Sequence, residues 1–230
     1  MTLAANQPYF LPYFPYWQLI AAAGAFLVSD DYAFMKGSWI PRNRILVNGR
    51  IQYFRVEVKD QSCHRLIKDC SILPISMREK LRTLEMAYHK APNFSDGYAL
   101  AERILRYPDT NLAGFLYNSI SEVCGYMGIS TPLLKTSDLT GNCLLRKEKR
   151  IFDFCRRMGA DRYINAIGGQ TIYDREAFRR EGIDLRFICS ETGPYDQRGT
   201  AFVPDLSVID AIMFNSRDAL HERLGQYRLL

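Results

Sequence analysis

The sequence predicts an α/β protein with a mostly parallel, Rossmann-like sheet, flanking helices, a small antiparallel hairpin and a helical insertion. Short apolar runs alternate with helical periodicity in the first thirty residues and again after residue 130. An Asn48-Gly49 turn signal predicts the hairpin, and consecutive helical segments predict the insertion. At 230 residues the chain has the length of one large domain. We therefore assign 1–230 to a single domain, with 75–127 as a helical insertion or lid.

A βαβ unit is predicted at the N-terminal end. Its strand, helix and buried strand cover residues 3–5, 16–23 and 25–28. The strands of such a unit run parallel, and ligands bind outside the carboxyl ends of parallel strands. The loop over 7–16 and the Asp30-Asp31 pair both follow such strand ends. The sequence therefore predicts a binding site in this region.

The hairpin and the insertion come next along the chain. Residues 44–47 are expected to pair antiparallel with the alternating segment 51–58. Ser76 and Glu79 have the spacing of a capping box, which predicts a helix from there to the Ala91-Pro92 break. Two further helices are predicted over 95–106 and 110–127.

A second alternating series follows residue 130. Strand, helix, strand, helix and strand are predicted over 133–134, 145–158, 162–165, 174–181 and 183–188. Gly168 and Gly169 lie between the middle strand and the helix after it. Glycines there let backbone N–H groups approach a phosphate beside the positive end of a helix, but an ordinary tight turn has the same composition. Both interpretations stay open.

The last helix is predicted to be capped by Ser207. Asp205 and Asp210 flank this cap, and they either complement the dipole of the helix or form a polar wall of the site. The densest charged run, residues 146–150, opens the predicted helix at 145–158. We interpret that run as a solvated helix face, with an RNA or phosphate patch as the alternative.

Composition narrows the classes of protein that fit. No apolar segment approaches the ~20 residues that a membrane-spanning helix needs, so no membrane insertion is expected. The six cysteines are far apart and lack a C-x-x-C pair, which indicates reduced thiols of a cytoplasmic protein. With three histidines, no metal site and no cofactor are predicted. The net charge of +5 weakly favours anionic ligands.

The candidate site combines acids, cations and aromatic rings. Asp30, Asp31 and Lys36 are the catalytic candidates, with one of the acids as general base. Lys36 and Arg42 are candidates to hold phosphate, and Trp39, Tyr9 and Tyr13 are candidates to stack on a sugar or a base. The full set of substrate-binding candidates is Gln7, Pro8, Tyr9, Pro12, Tyr13, Trp39, Arg42, Asn43, Gly168, Gly169, Tyr173, Tyr195, Gln197 and Asp205.

Each of these candidates also has a structural interpretation. A single tryptophan or tyrosine is more often a core residue than a ligand contact. Two acids at the end of a strand are often turn residues. Asp30 and Asp31 are expected to point to opposite faces if both continue the strand, so at most one is predicted to enter the site.

Five segments, in order along the chain, carry a resemblance to a known family. They are QPYFLPY at 7–13, DD with K-x-x-W-x-x-RNRI at 30–45, YHKAPNF at 88–94, RYINAIGGQTIYDREAF at 162–178 and FVPDLSVIDAIMFNS at 202–216. Together they resemble the WbqC-like family. The resemblance implies an association with gene clusters for bacterial surface polysaccharide (O-antigen type) and other modified sugars, without a settled reaction. Two positions depart from the family pattern. Pro15 lies where members usually have glycine, and Asn6 lies where many members have histidine or methionine.

Three hypotheses for function follow. The leading one is a cytoplasmic group transferase, of acyl or aminoacyl type, that acts on a nucleotide-activated or amino-modified sugar. Its expected partner is a small, phosphorylated or sugar-linked substrate. The alternatives are a non-catalytic binding or scaffold module, and aminoacyl-tRNA or RNA-dependent transfer, although nucleic acid is the less favoured partner. The chain lacks the P-loop, nucleophile-elbow and zincin motifs.

Overall fold

The computed structural model describes residues 1–59, 61–139, 141, 145–198 and 201–230. The strands in this part of the chain are β1 (Thr2–Asn6), β2 (Ala25–Val28), β3 (Arg42–Val47), β4 (Arg50–Arg55), β5 (Val58–Lys59), β6 (Ser71–Ile72), β7 (Leu133–Lys135), β8 (Arg162–Ala166), β9 (Asp184–Ser190) and β10 (Tyr227–Leu229). The helices are α1 (Phe14–Ala21), α2 (Met77–Tyr88), α3 (Phe94–Leu105), α4 (Leu112–Met127), α5 (Lys147–Met158), α6 (Arg175–Arg180), α7 (Val208–Phe214) and α8 (Arg217–Leu224).

The central sheet has six strands in the order β10-β9-β8-β1-β2-β7. All neighbours pair parallel except β10, which is antiparallel to β9 at one edge. This arrangement confirms the mostly parallel α/β fold. The sequence analysis missed β10 because Tyr227–Leu229 is a three-residue edge strand whose pairing depends on β9, not on a local pattern.

The N-terminal βαβ unit is confirmed. β1 pairs parallel with β2, with Leu3 opposite Ala25, and α1 connects them. The helix begins at Phe14, two residues earlier than predicted. Pro15 lies in its first turn, where a fixed φ suits the helix and the missing N–H removes no intrahelical bond.

The hairpin forms as predicted across Asn48 and Gly49, but its second strand is shorter. β3 and β4 pair antiparallel, with Arg44 opposite Tyr53. The prediction of one strand over 51–58 was wrong at its end, since the chain leaves the ladder at Val56, whose N–H bonds the carbonyl of Pro41 at 2.8 Å. β5 then pairs with β6 instead.

Three helices, α2, α3 and α4, occupy the segment predicted as the insertion. Ser76 makes no side-chain hydrogen bond at the start of α2, so the predicted capping box is absent. α4 is the capped helix: the side chain of Asn111 accepts from the N–H of Gly114, and Gly128 ends it at φ 72°. These helices share one apolar core with α1 and α7. A lid function for them stays a prediction.

The two faces of the sheet lie against different helices. Ala4 and Phe26 face the core that contains α1, α4 and α7. Leu3 and Leu27, which alternate with them, face a second core with α5 and α6. Both faces are therefore buried, as expected for a parallel sheet. No helix in the described residues is long and apolar enough to cross a membrane.

Candidate functional site

The loop between β1 and α1 is fixed in a strained conformation. Leu11 has φ 47°, a region that side chains other than glycine rarely adopt. Its carbonyl oxygen accepts hydrogen bonds from Asn43 Nδ2 at 2.6 Å and from Ser207 Oγ at 3.0 Å. Two distant elements, β3 and the residue before α7, therefore hold this turn in place. Backbone strain sustained by surrounding contacts is common at binding sites.

Further hydrogen bonds tie down the remainder of the loop. The carbonyl of Pro12 accepts from Trp17 Nε1 at 2.9 Å and from the N–H of Val208 at 3.0 Å. The N–H of Phe10 donates to the carbonyl of Ile40 at 2.9 Å. Pro12, which was predicted to bind substrate, therefore anchors the loop through its backbone carbonyl. The loop is a rigid wall, not a flexible connection.

This wall borders a cavity of about 430 Å³, here called the main cavity. It opens at the carboxyl end of β1, where Asn6 is the last residue of the strand. The loop after β1, the segment before β3, β3 itself and the residues before α7 surround it. Its lining residues are Asn6, Gln7, Pro8, Tyr9, Tyr13, Ser38, Trp39, Ile40, Asn43, Arg44 and Asp205.

Trp39 is the exposed aromatic group of the main cavity. Its side chain is 45% accessible, which is high for a tryptophan. The guanidinium groups of Arg42 and Arg44 lie 5.8 and 5.5 Å from its ring centre, and Arg42 also lies 4.5 Å from the ring of Tyr53. The Nε atoms of both arginines are buried and have no hydrogen-bond partner in the described part of the chain. The cavity mouth is therefore aromatic and positively charged.

Arg44 and Asp205 are the charged residues that line the main cavity within the described chain. Arg44 donates to the carbonyl of Asp205 at 2.9 Å, and its guanidinium lies 4.0 Å from the Asp205 carboxylate. Asp205 has φ 56°, a left-handed conformation that aspartate tolerates better than most residues. Its carboxylate is more than half exposed, so it stays accessible to a ligand.

Two tyrosine hydroxyls complete the polar lining. Burial, followed by the nearby hydroxyls of Tyr13 and Tyr16, raises the pKa of Tyr9 well above its ordinary value. Burial and the carboxylate of Asp205 raise the pKa of Tyr13. Both hydroxyls therefore stay protonated at neutral pH and can donate hydrogen bonds to a ligand.

The predicted catalytic acids lie outside the main cavity, in a cluster of their own. Both follow the end of β2, and both carboxylates reach Thr136 Oγ1, at 3.3 Å for Asp30 and 2.6 Å for Asp31. β2 ends at Val28, so neither acid continues the strand, and the condition under which they were expected to point to opposite faces is not met. Asp30 also accepts from the N–H and Oγ of Ser137 at 2.9 and 2.7 Å. Asp31 forms a buried ion pair with Arg150.

Arg150 corrects the interpretation of the charged run at 146–150. Lys147 and Lys149 are exposed as expected, but Arg150 is buried at 4% accessibility. Its guanidinium also lies over the rings of Tyr32 and Phe154, at 4.9 and 5.2 Å. The run is a solvated helix face only in part, because its last arginine belongs to the core.

The glycine pair and Tyr173 lie near the end of β8, outside the lining of the main cavity. Gly168 and Gly169 lie within a 3₁₀ turn, Ile167–Thr171, between β8 and α6, and Asp174 caps that helix. The glycines thus lie at the predicted junction of strand and helix, in a turn of their own before α6. Tyr173 packs edge-on against Tyr163 and Phe178. A binding role for these residues stays a prediction.

Tyr195 and Gln197 bind the buried carboxylate of Asp210. The Tyr195 hydroxyl donates at 2.7 Å and Gln197 Nε2 at 2.9 Å to one oxygen, and Tyr88 of α2 donates at 3.0 Å to the other. Gln197 also bonds both backbone groups of Val203, at 3.2 and 2.8 Å. This network holds the loop that carries Asp205. Burial raises the pKa of Asp210, although the three hydrogen bonds act in the opposite direction.

The structure brings together one part of the predicted set. Gln7, Pro8, Tyr9, Tyr13, Trp39, Asn43 and Asp205 line the main cavity. Lys36 lies in an exposed turn two residues before Ser38. The sequence analysis did not select the other four lining residues, Asn6, Ser38, Ile40 and Arg44. The observed β3 begins at Arg42, two residues before the predicted strand 44–47, so Arg42 and Arg44 share a face of the strand. Their two-residue spacing, with Arg42 already selected, was the signal that could have identified Arg44.

The cysteines differ in burial, and burial makes two of them poor nucleophiles. Cys70, Cys124 and Cys155 are buried, Cys189 is half-buried and Cys63 is exposed, while Cys143 lies outside the described residues. Burial raises the pKa of Cys124 and of Cys155 to about 12, which makes both thiols poor nucleophiles. The described residues contain no group of three or more His, Cys, Asp or Glu side chains placed to hold a metal ion.

Comparison with known proteins places the chain in a family. The model of the WbqC-like protein family matches residues 7–222. The chain is 27% identical over 217 residues to "Uncharacterized protein Rv1507c" of Mycobacterium tuberculosis, and the match covers 93% of each chain. No solved structure matches significantly. The matched region contains every residue that lines the main cavity except Asn6.

Proposed function

The chain belongs to the WbqC-like protein family, and from that premise we propose that it is a group transferase acting on a nucleotide-activated or amino-modified sugar. The transfer is of acyl or aminoacyl type, and the pathway is the synthesis of bacterial surface polysaccharide (O-antigen type). The main cavity holds the sugar substrate. The proposal places the protein in the cytoplasm, where nucleotide sugars are made.

The observation that carries this proposal is the Trp39 ring at the mouth of the main cavity. A pyranose ring has an apolar C–H face that stacks on an aromatic ring, and its hydroxyls need hydrogen-bond partners around the edge. Trp39 presents such a ring, while Asn6, Gln7 and Ser38 supply amide and hydroxyl groups nearby. Aromatic stacking with a surrounding set of neutral polar groups is what a sugar ligand requires.

The positive charge beside Trp39 supports a phosphorylated form of the sugar. Arg42 and Arg44 have planar guanidinium groups suited to phosphate oxygens. Arg44 lines the main cavity, and Arg42, whose guanidinium donates to the carbonyl of Gly37, lies beside the Trp39 ring. Lys36, in the exposed turn two residues before Ser38, is a further candidate cation for the phosphate. A diphosphate bound there leaves the sugar ring next to Trp39.

Acyl transfer needs a group that accepts a proton. The acceptor oxygen or nitrogen bonds to the acyl carbon, the bond from that carbon to the donor's leaving atom breaks, and the acceptor proton passes through a base to the leaving atom. Asp205 is the carboxylate that lines the main cavity. Asp30 and Asp31 remain candidates for this role, but their oxygens already accept hydrogen bonds from Thr136, Ser137 and Arg150.

Binding of uridine-diphosphate amino sugars, measured by calorimetry, tests the proposal. Arg44→Ala is expected to weaken binding at least tenfold, because it removes a charged hydrogen-bond donor to phosphate. Arg50→Ala is the matched control, since Arg50 is exposed on the same hairpin and does not line the cavity. Lys36→Ala is expected to weaken binding to a smaller extent. Equal affinities for the Arg44 and Arg50 variants would contradict the proposed site.

A non-catalytic binding module is the second candidate, and one observation favours it. The Asp205 carboxylate lies 4.0 Å from the Arg44 guanidinium, so the two charges can hold a polar ligand together without a chemical step. Asp205→Asn separates the two functions, because asparagine also tolerates the left-handed backbone at this position. A transferase with Asp205 as base loses turnover and keeps sugar affinity in this variant. A binding module shows affinity and no turnover in either form.

A further inference from the structure

A second cavity, here called the side cavity, adjoins the main cavity. Its volume is about 250 Å³, and it lies between the start of α1, the loop after β9 and the start of α7. Much of its wall is apolar, formed by Phe14, Phe202, Val203, Val208 and Ala211. Val208 and Ala211 are fully buried, so part of this wall belongs to the rigid core.

The two cavities share one wall. Tyr13 and Asp205 line both of them, and they are the residues common to the two linings. A ligand that occupies both cavities must therefore pass over the Tyr13 hydroxyl and the Asp205 carboxylate. A reacting centre between two substrates is expected at such a boundary, because both parts of the ligand are then held by preformed walls.

The positive charge of the side cavity is already used within the protein. Arg223 is its cation, and the guanidinium donates to the carbonyls of Gly193 and Pro194 at 2.8 and 3.1 Å. The same group lies 5.5 Å from the ring centre of Tyr195. The hydroxyls of Ser190 and Thr192 bond each other at 3.0 Å. The side cavity is therefore better suited to an uncharged group than to a second phosphate.

The volume limits the size of that group. At about 30 Å³ for each water-sized unit, the side cavity holds roughly eight non-hydrogen atoms. A short acyl chain, a small amino-acid side chain or one aromatic ring has this size. A nucleotide or a long fatty chain exceeds it.

We propose that the side cavity binds the transferred group, a short acyl or aminoacyl group of up to about eight non-hydrogen atoms with its carbonyl included. This inference rests on the proposed function, and it adds the class of the donor. The carbonyl carbon of the donor then lies at the wall formed by Tyr13 and Asp205. The acceptor in the main cavity attacks that carbon, the bond to the leaving atom of the donor breaks, and the acceptor proton passes through Asp205 to the leaving atom.

A chain-length series of primary amides, from acetamide to decanamide, probes the side cavity without a sugar. Affinity from NMR titration is expected to rise about fourfold for each methylene up to hexanamide and then to level off or fall. Ala211→Leu fills the side cavity and should abolish this increase. Because Ala211 is buried and a larger side chain there strains the packing of the core, Phe202→Ser, at the more exposed edge of the cavity, is the second variant. It should weaken hexanamide binding about fivefold or more.

Tyr107→Ser is the control for Phe202→Ser, since both aromatic side chains are 37% accessible and Tyr107 lies outside both cavities. An amide affinity that does not depend on chain length, or that Phe202→Ser leaves unchanged, would overturn the proposal for the side cavity. Uridine-diphosphate amino-sugar affinity, measured on the same samples, keeps the two proposals apart. Sugar binding without amide binding would contradict only the proposal for the side cavity. Amide binding without sugar binding would contradict only the proposed function.

Discussion

The main cavity and the cluster of Asp30, Asp31 and Arg150 lie at the same edge of the sheet but differ in how their polar groups are used. Each carboxylate of the cluster accepts hydrogen bonds from protein groups, and Arg150 is 4% accessible. In the main cavity, Trp39 is 45% accessible, and the Asp205 carboxylate is more than half exposed. The difference teaches that a concentration of charged residues along the sequence does not identify a binding site. A site is identified by charged and aromatic groups that remain accessible to a ligand.

The largest expected effect is on stability, from breaking the cluster. Arg150→Ala leaves the buried carboxylate of Asp31 without its cation. The free energy of unfolding is expected to fall by about 3–5 kcal/mol, which urea denaturation measures. Lys149→Ala, at an exposed neighbouring position, should change it by less than about 0.5 kcal/mol. A loss below about 1 kcal/mol for Arg150→Ala would show that the ion pair is not structural.

Removal of the buried Asp210 carboxylate should have the next largest effect on the free energy of unfolding. Asp210→Ala removes the acceptor of Tyr88, Tyr195 and Gln197. We expect a loss of about 2–3 kcal/mol in the free energy of unfolding, because buried donors then lack partners. Asp210→Asn retains an acceptor oxygen and should lose about half as much. If both variants unfold like the wild type, the network does not hold the loop before α7.

Trp39→Ala should show the opposite behaviour to Arg150→Ala. Since the ring is largely exposed, the free energy of unfolding is expected to change by less than about 1 kcal/mol. Affinity for uridine-diphosphate amino sugars is expected to fall about threefold to tenfold, because aromatic stacking is lost. Calorimetry and urea denaturation on one preparation measure both quantities. A large loss of stability with unchanged affinity would assign Trp39 to the fold, like Arg150.

The pH dependence of stability should be the smallest of these effects. Burial raises the pKa of Asp210 in the folded protein above its ordinary value of 3.8. The folded state therefore holds this proton more tightly than the unfolded state. The stabilisation of the folded state by this proton is fully present below pH 3.8 and is lost as the pH rises through the folded-state pKa. Unfolding of Asp210→Asn, followed from pH 3 to pH 8, should lack this component, and identical profiles for both proteins would contradict it.

Local patterns predicted much of the fold. The alternation of apolar runs and helices predicted the βαβ unit, the hairpin and the parallel sheet, because burial on both faces leaves a periodic trace in the sequence. The short edge strand β10 and the helix α8 were missed, since their stability depends on contacts with β9 and α7. Ser76 was expected to cap α2 and does not, because a matching sequence allows that hydrogen bond without requiring it.

The site was predictable only in part. Gln7 and Tyr13 follow β1, and Trp39 follows β2, so their proximity follows from the parallel pairing of these two strands. Asp205 reaches the same cavity from almost two hundred residues away, through the Ser207 and Asn43 bonds to Leu11. No local pattern encodes that approach.

The sequence by itself determined the layered α/β architecture, the family and the position of one wall of the site, because these depend on periodicity and on residues close together in the chain. Only the tertiary structure decided which charges stay available. Asp30 and Asp31 have the same residue type as Asp205, but folding brings Thr136, Ser137 and Arg150 against the first two. Asp205 remains beside an open cavity. The physical reason is that hydrogen bonding and desolvation depend on neighbours in space, which the order of residues does not specify.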